Sequence, residues 1–268
     1  MKVAVLFLAH FIEDSVILKY EKLWSELSKE YDLYWVLHTD NGIDYQSLLD
    51  RNINIFTFNL DQLNKLNYSP ISERLYGSEH FIMEYFFHQH PEYEYYWGIE
   101  YDVIFTGNWN VLLYAFKNSD ADLLSSHIEM YEDGVNSRWD WWNVISFAEE
   151  DKVEKEKLVK SFNPIYRISA RALSFLDVYL QKDNNGGFYE LIMATPLYHH
   201  GFKLVDFGGT GKFLQEGFRN RFYVQGRGVH NGTMRWGPDF FEEEIRALES
   251  KNKLFHPLKK EFYPANQS

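Results

Sequence analysis

The chain has 268 residues, with 27 Lys or Arg against 39 Asp or Glu and a formal charge of −12. That balance argues against a dedicated nucleic-acid binder or a surface fixed to anionic lipid, and the chain lacks the ~18-residue apolar run of a transmembrane helix. Cysteine is absent, which excludes disulfides, thiolate metal sites and a cysteine nucleophile, and suits a reducing cytosol.

Val3 to Ala9 is a continuous apolar run, the pattern of a strand buried on both faces. The stretch from Met1 to Ala9 is too short for a signal peptide, so a cytoplasmic location is expected. Asp14 and Ser15 are expected to cap a helix through about Glu30, with Val16, Leu23, Trp24 and Leu27 on its apolar side. Strands follow over Leu33 to Leu37 and Ile53 to Phe58. Strand, helix, strand and strand in this order open a doubly wound α/β domain. Ligands in such sheets sit outside the carboxyl ends of the strands, so His10, Asp14, Asp40 and Asn59 are candidate nucleotide contacts. Neither G-x-G-x-x-G nor G-x-x-x-x-G-K is present, so a Rossmann cofactor site and a P-loop are unsupported. Ile71 to His90 reads as a helix that ends before Pro91. It carries Arg74, which can reach a diphosphate or simply form a solvated ion pair.

The next stretch, Tyr95-Tyr96-Trp97-Gly98-Ile99-Glu100-Tyr101-Asp102-Val103, is an apolar strand that places two carboxylates at its end. Residues two apart on a strand share a face, so Glu100 and Asp102 are expected to aim at one object. Two buried acids together are costly, and a hard divalent cation resolves the conflict. A turn former or helix cap is the plain alternative for either acid.

A helix is expected from Trp109 to about Lys117 and a strand from Ala121 to His127. Trp139, Trp141 and Trp142 then cluster in a loop-like segment, as either a saccharide platform or a buried loop anchor. Glu149 to Lys160 reads as a charged, solvated helix or loop without a function. Phe162 to Leu173 joins a strand to a helix capped by Ser169. Phe188 to Gly201 reads as a helix with Glu190 near its start, where the helix dipole alone can account for an acid. Phe202 to Asp206 reads as the last strand. Gly208-Gly209-Thr210-Gly211-Lys212 lacks the spacing of a phosphate loop, and a glycine-rich stretch through Arg227 to Gly232 has the composition of a loop that orders over a ligand.

From Glu100-Tyr101-Asp102 through Thr106-Gly107-Asn108-Trp109, the chain resembles GT-A-fold glycosyltransferases that use nucleotide-sugar donors, in a branch with Glu-Tyr-Asp in place of Asp-x-Asp. The resemblance implies an α/β GT-A-like fold, a mostly parallel central sheet flanked by helices. It implies a single domain, with residues 1–109 binding the nucleotide sugar and residues 110–268 holding the acceptor side and the C-terminal tail. Asp102 is then a ligand of Mn²⁺ or Mg²⁺, Glu100 acts at the metal or the donor ribose, and His256 completes the metal shell. His10, Asp14 and Asp40 fall on the nucleotide side, with Arg74, Lys212 and Arg227 as candidate phosphate contacts. Glu190 matches the base of inverting members, although a Tyr stands where an acid usually precedes it. A retaining enzyme would need no such base.

The implied partners are a nucleotide-sugar donor, UDP-linked by preference, and a saccharide or glycan acceptor met by Trp139, Trp141 and Trp142, as in polysaccharide biosynthesis. Peripheral contact with a membrane-held acceptor is compatible with this. Two other readings stay open: a non-catalytic saccharide-binding or degenerate transferase-like protein, and a sugar nucleotidyltransferase. The latter needs a basic, glycine-rich loop after the first strand, where this chain has His10-Phe11-Ile12-Glu13-Asp14.

Overall fold

The computed structural model describes residues 2–72, 75–131, 139–226 and 231–258. Arg74 and Arg227 lie outside the described residues. The first half runs β1 (Val3–Leu8), α1 (Asp14–Glu26), β2 (Tyr31–His38), α2 (Gln46–Leu49), β3 (Ile55–Phe58), α3 (Leu60–Asn64), α4 (His80–Gln89) and β4 (Tyr95–Glu100). It continues with β5 (Ile104–Phe105), α5 (Trp109–Ala115), β6 (Leu123–Met130), β7 (Ile145–Ser146), β8 (Val159–Ser169) and α6 (Ala170–Leu180). The last elements are β9 (Gly186–Gly187), α7 (Tyr189–Ile192), α8 (Ala194–His199), β10 (Leu204–Asp206), α9 (Glu242–Ala247) and β11 (Leu254–Phe255).

Seven strands form one sheet in the order β10-β6-β8-β4-β1-β2-β3. All neighbours are parallel except β8, which runs antiparallel to both β4 and β6. Both faces are covered, which explains the unbroken apolar run of β1. Val3, Val5 and Phe7 pack with Val16, Ile17 and Tyr20 of α1 and Leu112 and Leu113 of α5. Ala4 and Leu6 face the other way, toward Phe81 and Met83 of α4 and Leu173 and Leu176 of α6. The architecture is thus the α/β fold expected, a mostly parallel sheet between two helical layers. Among the described residues no helix is long and apolar enough to cross a membrane.

Several boundaries differ from expectation. Helix α1 ends at Glu26 rather than Glu30, its N-cap position is Glu13, and Asp14 lies in its first turn. Trp24 is 63% exposed rather than on the apolar side, which Tyr20 and Ile17 occupy. The helix expected from Ile71 begins only at His80, because Gly77 takes a left-handed turn (φ +80°) just before it. The single helix expected after Phe188 is two short ones. Asn59 caps α3 through a reciprocal capping box with Gln62, so its side chain is committed there and not to a nucleotide.

The reversed strand β8 is anchored by Arg167, which is 2% exposed. Its guanidinium donates to the carbonyls of Phe116 (2.8 Å), Ser119 (2.8 Å) and Ala121 (3.1 Å) and lies 4.0 Å over the Tyr95 ring. Two buried carbonyls and one half-buried carbonyl depend on it. Arg167→Met should therefore cost about 2–5 kcal/mol of stability, read as a lower urea midpoint at unchanged slope. A loss below ~0.5 kcal/mol, the size of an ordinary surface change, would contradict the anchoring role.

Candidate active site

The sheet changes direction between β1 and β4: from β1 the chain adds β2 and β3 on one side, then returns to lay β4 on the other. Ligands collect at the carboxyl ends of the strands beside such a switch. His10 follows β1 here, and Glu100 closes β4. Asp102 lies in the turn beyond, so the turn, not strand alternation, brings it beside Glu100. That turn is held by Tyr101 N–H donating to Leu8 O (3.0 Å) and Val103 N–H to Glu100 O (3.0 Å).

His256 arrives from the far end of the chain. Strand β11 pairs antiparallel with β5, setting Leu254 against Phe105 and Phe255 against Ile104. Leu258 N–H then donates to Asp102 O (2.9 Å), so the segment carrying His256 is tied directly to the acidic turn. His256 Nε2 lies 3.6 Å from Glu100 Oε2 and 3.6 Å from Asp102 Oδ1. His256 Nδ1 and Arg235 O are 2.8 Å apart, which fixes the ring and leaves Nε2 facing the acids. The three ligand atoms lie within 4.8 Å of one another.

The electrostatics fit a cation. Asp102 is 6% exposed and its Oδ1 has no hydrogen-bond partner. Burial pushes its carboxyl up to about 6, with His256 opposing and Glu100 adding to the rise. For His256, burial disfavours the charge, yet the Glu100 and Asp102 carboxylates beside it outweigh that and raise the pKa. Two oxygen donors and one imidazole, with an orphaned carboxylate oxygen among them, suit a divalent metal such as Mn²⁺ or Mg²⁺. The sequence-expected trio Glu100, Asp102 and His256 is thus one cluster.

Two cavities flank it. One, of about 340 Å³, opens over the ends of β1 to β4 and is lined by Ala9, His10, His38, Phe58 and Tyr101 among others. His38 stacks on Phe58 (5.0 Å, 8° between planes). His10 packs on Tyr101 (5.4 Å), and burial lowers its pKa despite Glu100, with His38 lowering it further. The other cavity, of about 240 Å³, includes Asp102, His127, Trp139, Trp141, Lys160, Phe188, Glu190 and His256 in its walls. Among the described residues, only Glu79 and Glu100 line both.

Glu190 sits in the first turn of α7, 5% exposed, with Asn163 N–H 3.4 Å from its Oε1. Burial pushes it up to about 8; Lys160 and the Asn163 amide pull down, and Glu100 and Glu79 push up. Trp141 stacks on Phe188 (4.4 Å, 9°) and Trp139 meets the same ring edge-on (5.7 Å), both at the cavity wall. Trp142 does not line it. It is 2% exposed and packs with Leu158 and Leu191, so it is the loop anchor rather than a platform.

Other expected contacts are not gathered here. Asp14 is exposed at the start of α1, and Asp40 accepts from Leu60 N–H (2.8 Å) and pairs with His38 Nε2 (2.8 Å), bracing a wall without lining it. Lys212 reaches Met130 Sδ and lies over the Tyr198 and Phe213 rings, outside both linings. Lys160, His127 and Glu79 were missed by sequence reading. Lys160 is 2% exposed on β8 and pairs with Glu129 (3.3 Å), although it closes a stretch that reads as solvated. His127 is held at φ +48° on a bulged part of β6, an unusual backbone for a non-glycine residue that turns it to the cavity.

The family described as Protein of unknown function (DUF3405) matches residues 45–119, a minority of the chain that includes the acidic turn. No match is found among curated proteins. Among solved structures, the chain is similar to a proposed glucose-1-phosphate thymidylyltransferase from Bacillus anthracis crystallised with sucrose. That likeness has 12% identity and a TM-score of 0.43, over 79% of this chain and 87% of the other. A second likeness, to mouse xyloside xylosyltransferase 1, has 10% identity and a TM-score of 0.39, over 75% and 82%. At these scores neither likeness assigns a function.

In the metal-free protein, Asp102, Glu79 (pushed up to about 7, chiefly by burial) and Glu190 all keep their protons to higher pH folded than unfolded. Each of these three carboxyls binds its proton more tightly in the folded chain, so the stability it contributes is lost as pH rises from the ordinary carboxylate range through its raised pKa. Metal-free Asp102→Asn should therefore match or exceed wild-type Tm near pH 7 while losing the Tm gain from Mn²⁺. A lower metal-free Tm, or an unchanged gain from Mn²⁺, would contradict the site.

Proposed function

We propose that this protein is a metal-dependent glycosyltransferase that moves a sugar from a nucleoside-diphosphate donor, UDP-linked by preference, to a saccharide acceptor. The observation that carries this reading is the position of Glu100, Asp102 and His256 at the sheet's switch point, between a strand-end cavity and an aromatic one. In this reading the chain is one domain. Residues 1–109 hold the nucleotide sugar, and residues 110–268 supply the acceptor wall and His256.

Ala9, His10, His38 and Phe58 take the nucleoside, the His38–Phe58 stack offering a flat apolar surface to the base. Glu100, Asp102 and His256 hold a divalent cation, which supplies positive charge for the donor diphosphate when bound. Trp139, Trp141 and Phe188 receive the acceptor, since a sugar's C–H face packs on an aromatic ring while its hydroxyls reach polar walls.

Glu190 then accepts the proton of the attacking hydroxyl. The acceptor oxygen bonds to the anomeric carbon as the bond from that carbon to the phosphate oxygen breaks, and its electron pair leaves on the diphosphate. Burial suits Glu190 to this role by making its carboxylate a stronger base than an exposed one. The nucleotidyltransferase reading is disfavoured because the segment after β1 carries neither a basic side chain nor a glycine between His10 and Asp14.

A thermal-shift screen of UDP, GDP, CMP and their sugar conjugates, with and without Mn²⁺, tests the reading. Stabilisation that needs both metal and one nucleotide supports a transferase. Glycan binding without metal or nucleotide dependence would favour the non-catalytic reading. With the donor found, Glu190→Gln should lower kcat by about a hundredfold or more at unchanged donor affinity. Near-normal transfer by that variant would remove Glu190 from the mechanism.

A further inference from the structure

Glu79 has no role in the mechanism above, yet among the described residues it and Glu100 are the two common to both cavities. Its Oε1 accepts from Gly77 N–H (3.0 Å), while Oε2 is buried without a hydrogen-bond partner. Such an oxygen is costly to leave unsatisfied. Gly77 also fixes Glu190, since its carbonyl accepts from Tyr189 N–H (2.8 Å) one residue before that acid. One turn therefore sets both carboxyl groups. A side chain in place of this glycine would be strained: φ is +80°, and a Cβ there would lie 2.8 Å from Ile71 Cγ1, which would have to move.

We propose that Glu79 selects the transferred group, hydrogen-bonding a hydroxyl of a neutral sugar and rejecting a sugar that carries its own carboxylate. The inference rests on the donor reading given above. With the nucleoside over the strand ends and the diphosphate at Glu100 and Asp102, the sugar enters the space where the two cavities join. The wall there is Glu79, whose Oε2 lacks the partner that a sugar hydroxyl supplies. The charge balance points the same way. Glu79, Glu100, Asp102 and Glu190 all face the aromatic cavity. The nearby Lys160 is paired with Glu129 at 3.3 Å, and Arg235 donates to Pro238 O (2.6 Å) and lies over the Phe240 ring. Among the described lining residues, these two cations are thus engaged elsewhere, and a uronate would bury its charge among carboxyl groups with neither cation available to pair with it.

The test is calorimetric titration, in the presence of Mn²⁺, of UDP, UDP-glucose and UDP-glucuronate, with GDP and GDP-mannose as a second pair, into wild type, Glu79→Ala and Glu79→Gln. The nucleoside diphosphate should bind all three proteins alike, which also shows that the variants are folded. Wild type should prefer the neutral conjugate. Glu79→Ala should bind that conjugate about tenfold or more weakly. Glu79→Gln should stay within about threefold of wild type and narrow the gap to the glucuronate conjugate. Undiminished binding of the neutral conjugate by Glu79→Ala, or equal binding of both conjugates by wild type, overturns the assignment while leaving the donor reading intact. If neither UDP nor GDP binds wild type with Mn²⁺, the donor reading fails and the assignment with it.

Discussion

Two carboxylates of like charge, one of them almost wholly buried, are held beside an imidazole at the end of the central strand. Everything around this cluster serves to keep it in place. Strand β4 is gripped by β1 on one side and the reversed β8 on the other, and the β5–β11 pairing returns the chain to Asp102. Such an arrangement is unfavourable by itself. Desolvation raises the Asp102 pKa and the acids repel each other, so the fold maintains a local cost that a bound cation would relieve.

The same constraint organises the cavities. Because β1 and β4 are neighbours and later strands add on the far side, the space beyond their ends divides into two. One part lies over β1 to β4, and the other lies between β8, α7 and the C-terminal segment. Glu100 stands at their junction and Glu79 beside it. The first half of the chain supplies the strand-end cavity, whereas the second supplies Glu190, the aromatic wall and the imidazole of His256. The proposed transfer between two bound molecules would use such a division, with Glu100, Asp102 and His256 at the seam.

Much of this was legible in the sequence, because the strong signals are local. The apolar runs of β1 and β4 give buried strands, and Glu100 and Asp102 stand out where the second run ends. His256 followed the family resemblance rather than any local pattern, and a pairing between distant strands brings it home. What stayed illegible depends on tertiary context. Lys160 lies in a stretch rich in charge, and only its place on β8 shows that it is buried. Glu79 reads as one more polar residue in a long helix until Gly77 breaks that helix and turns the carboxyl inward. Trp142 and its neighbours Trp139 and Trp141 have similar sequence surroundings, but burial separates them: Trp142 is enclosed with Leu158 and Leu191, whereas Trp139, packed against the same cluster, and Trp141 reach the cavity wall. Asp14, Asp40 and Lys212 stand outside both cavity linings for a related reason. Position near a strand end or in a glycine-rich loop does not determine where a side chain points.

The central claim is that one ion joins His256 to a donor diphosphate. Pulsed electron paramagnetic resonance of Mn²⁺ bound to the protein with UDP tests it directly. The account predicts a single bound Mn²⁺ showing both nitrogen coupling, lost in His256→Ala, and phosphorus coupling from UDP. Bound Mn²⁺ with no phosphorus coupling, or with nitrogen coupling unaffected by His256→Ala, would contradict it.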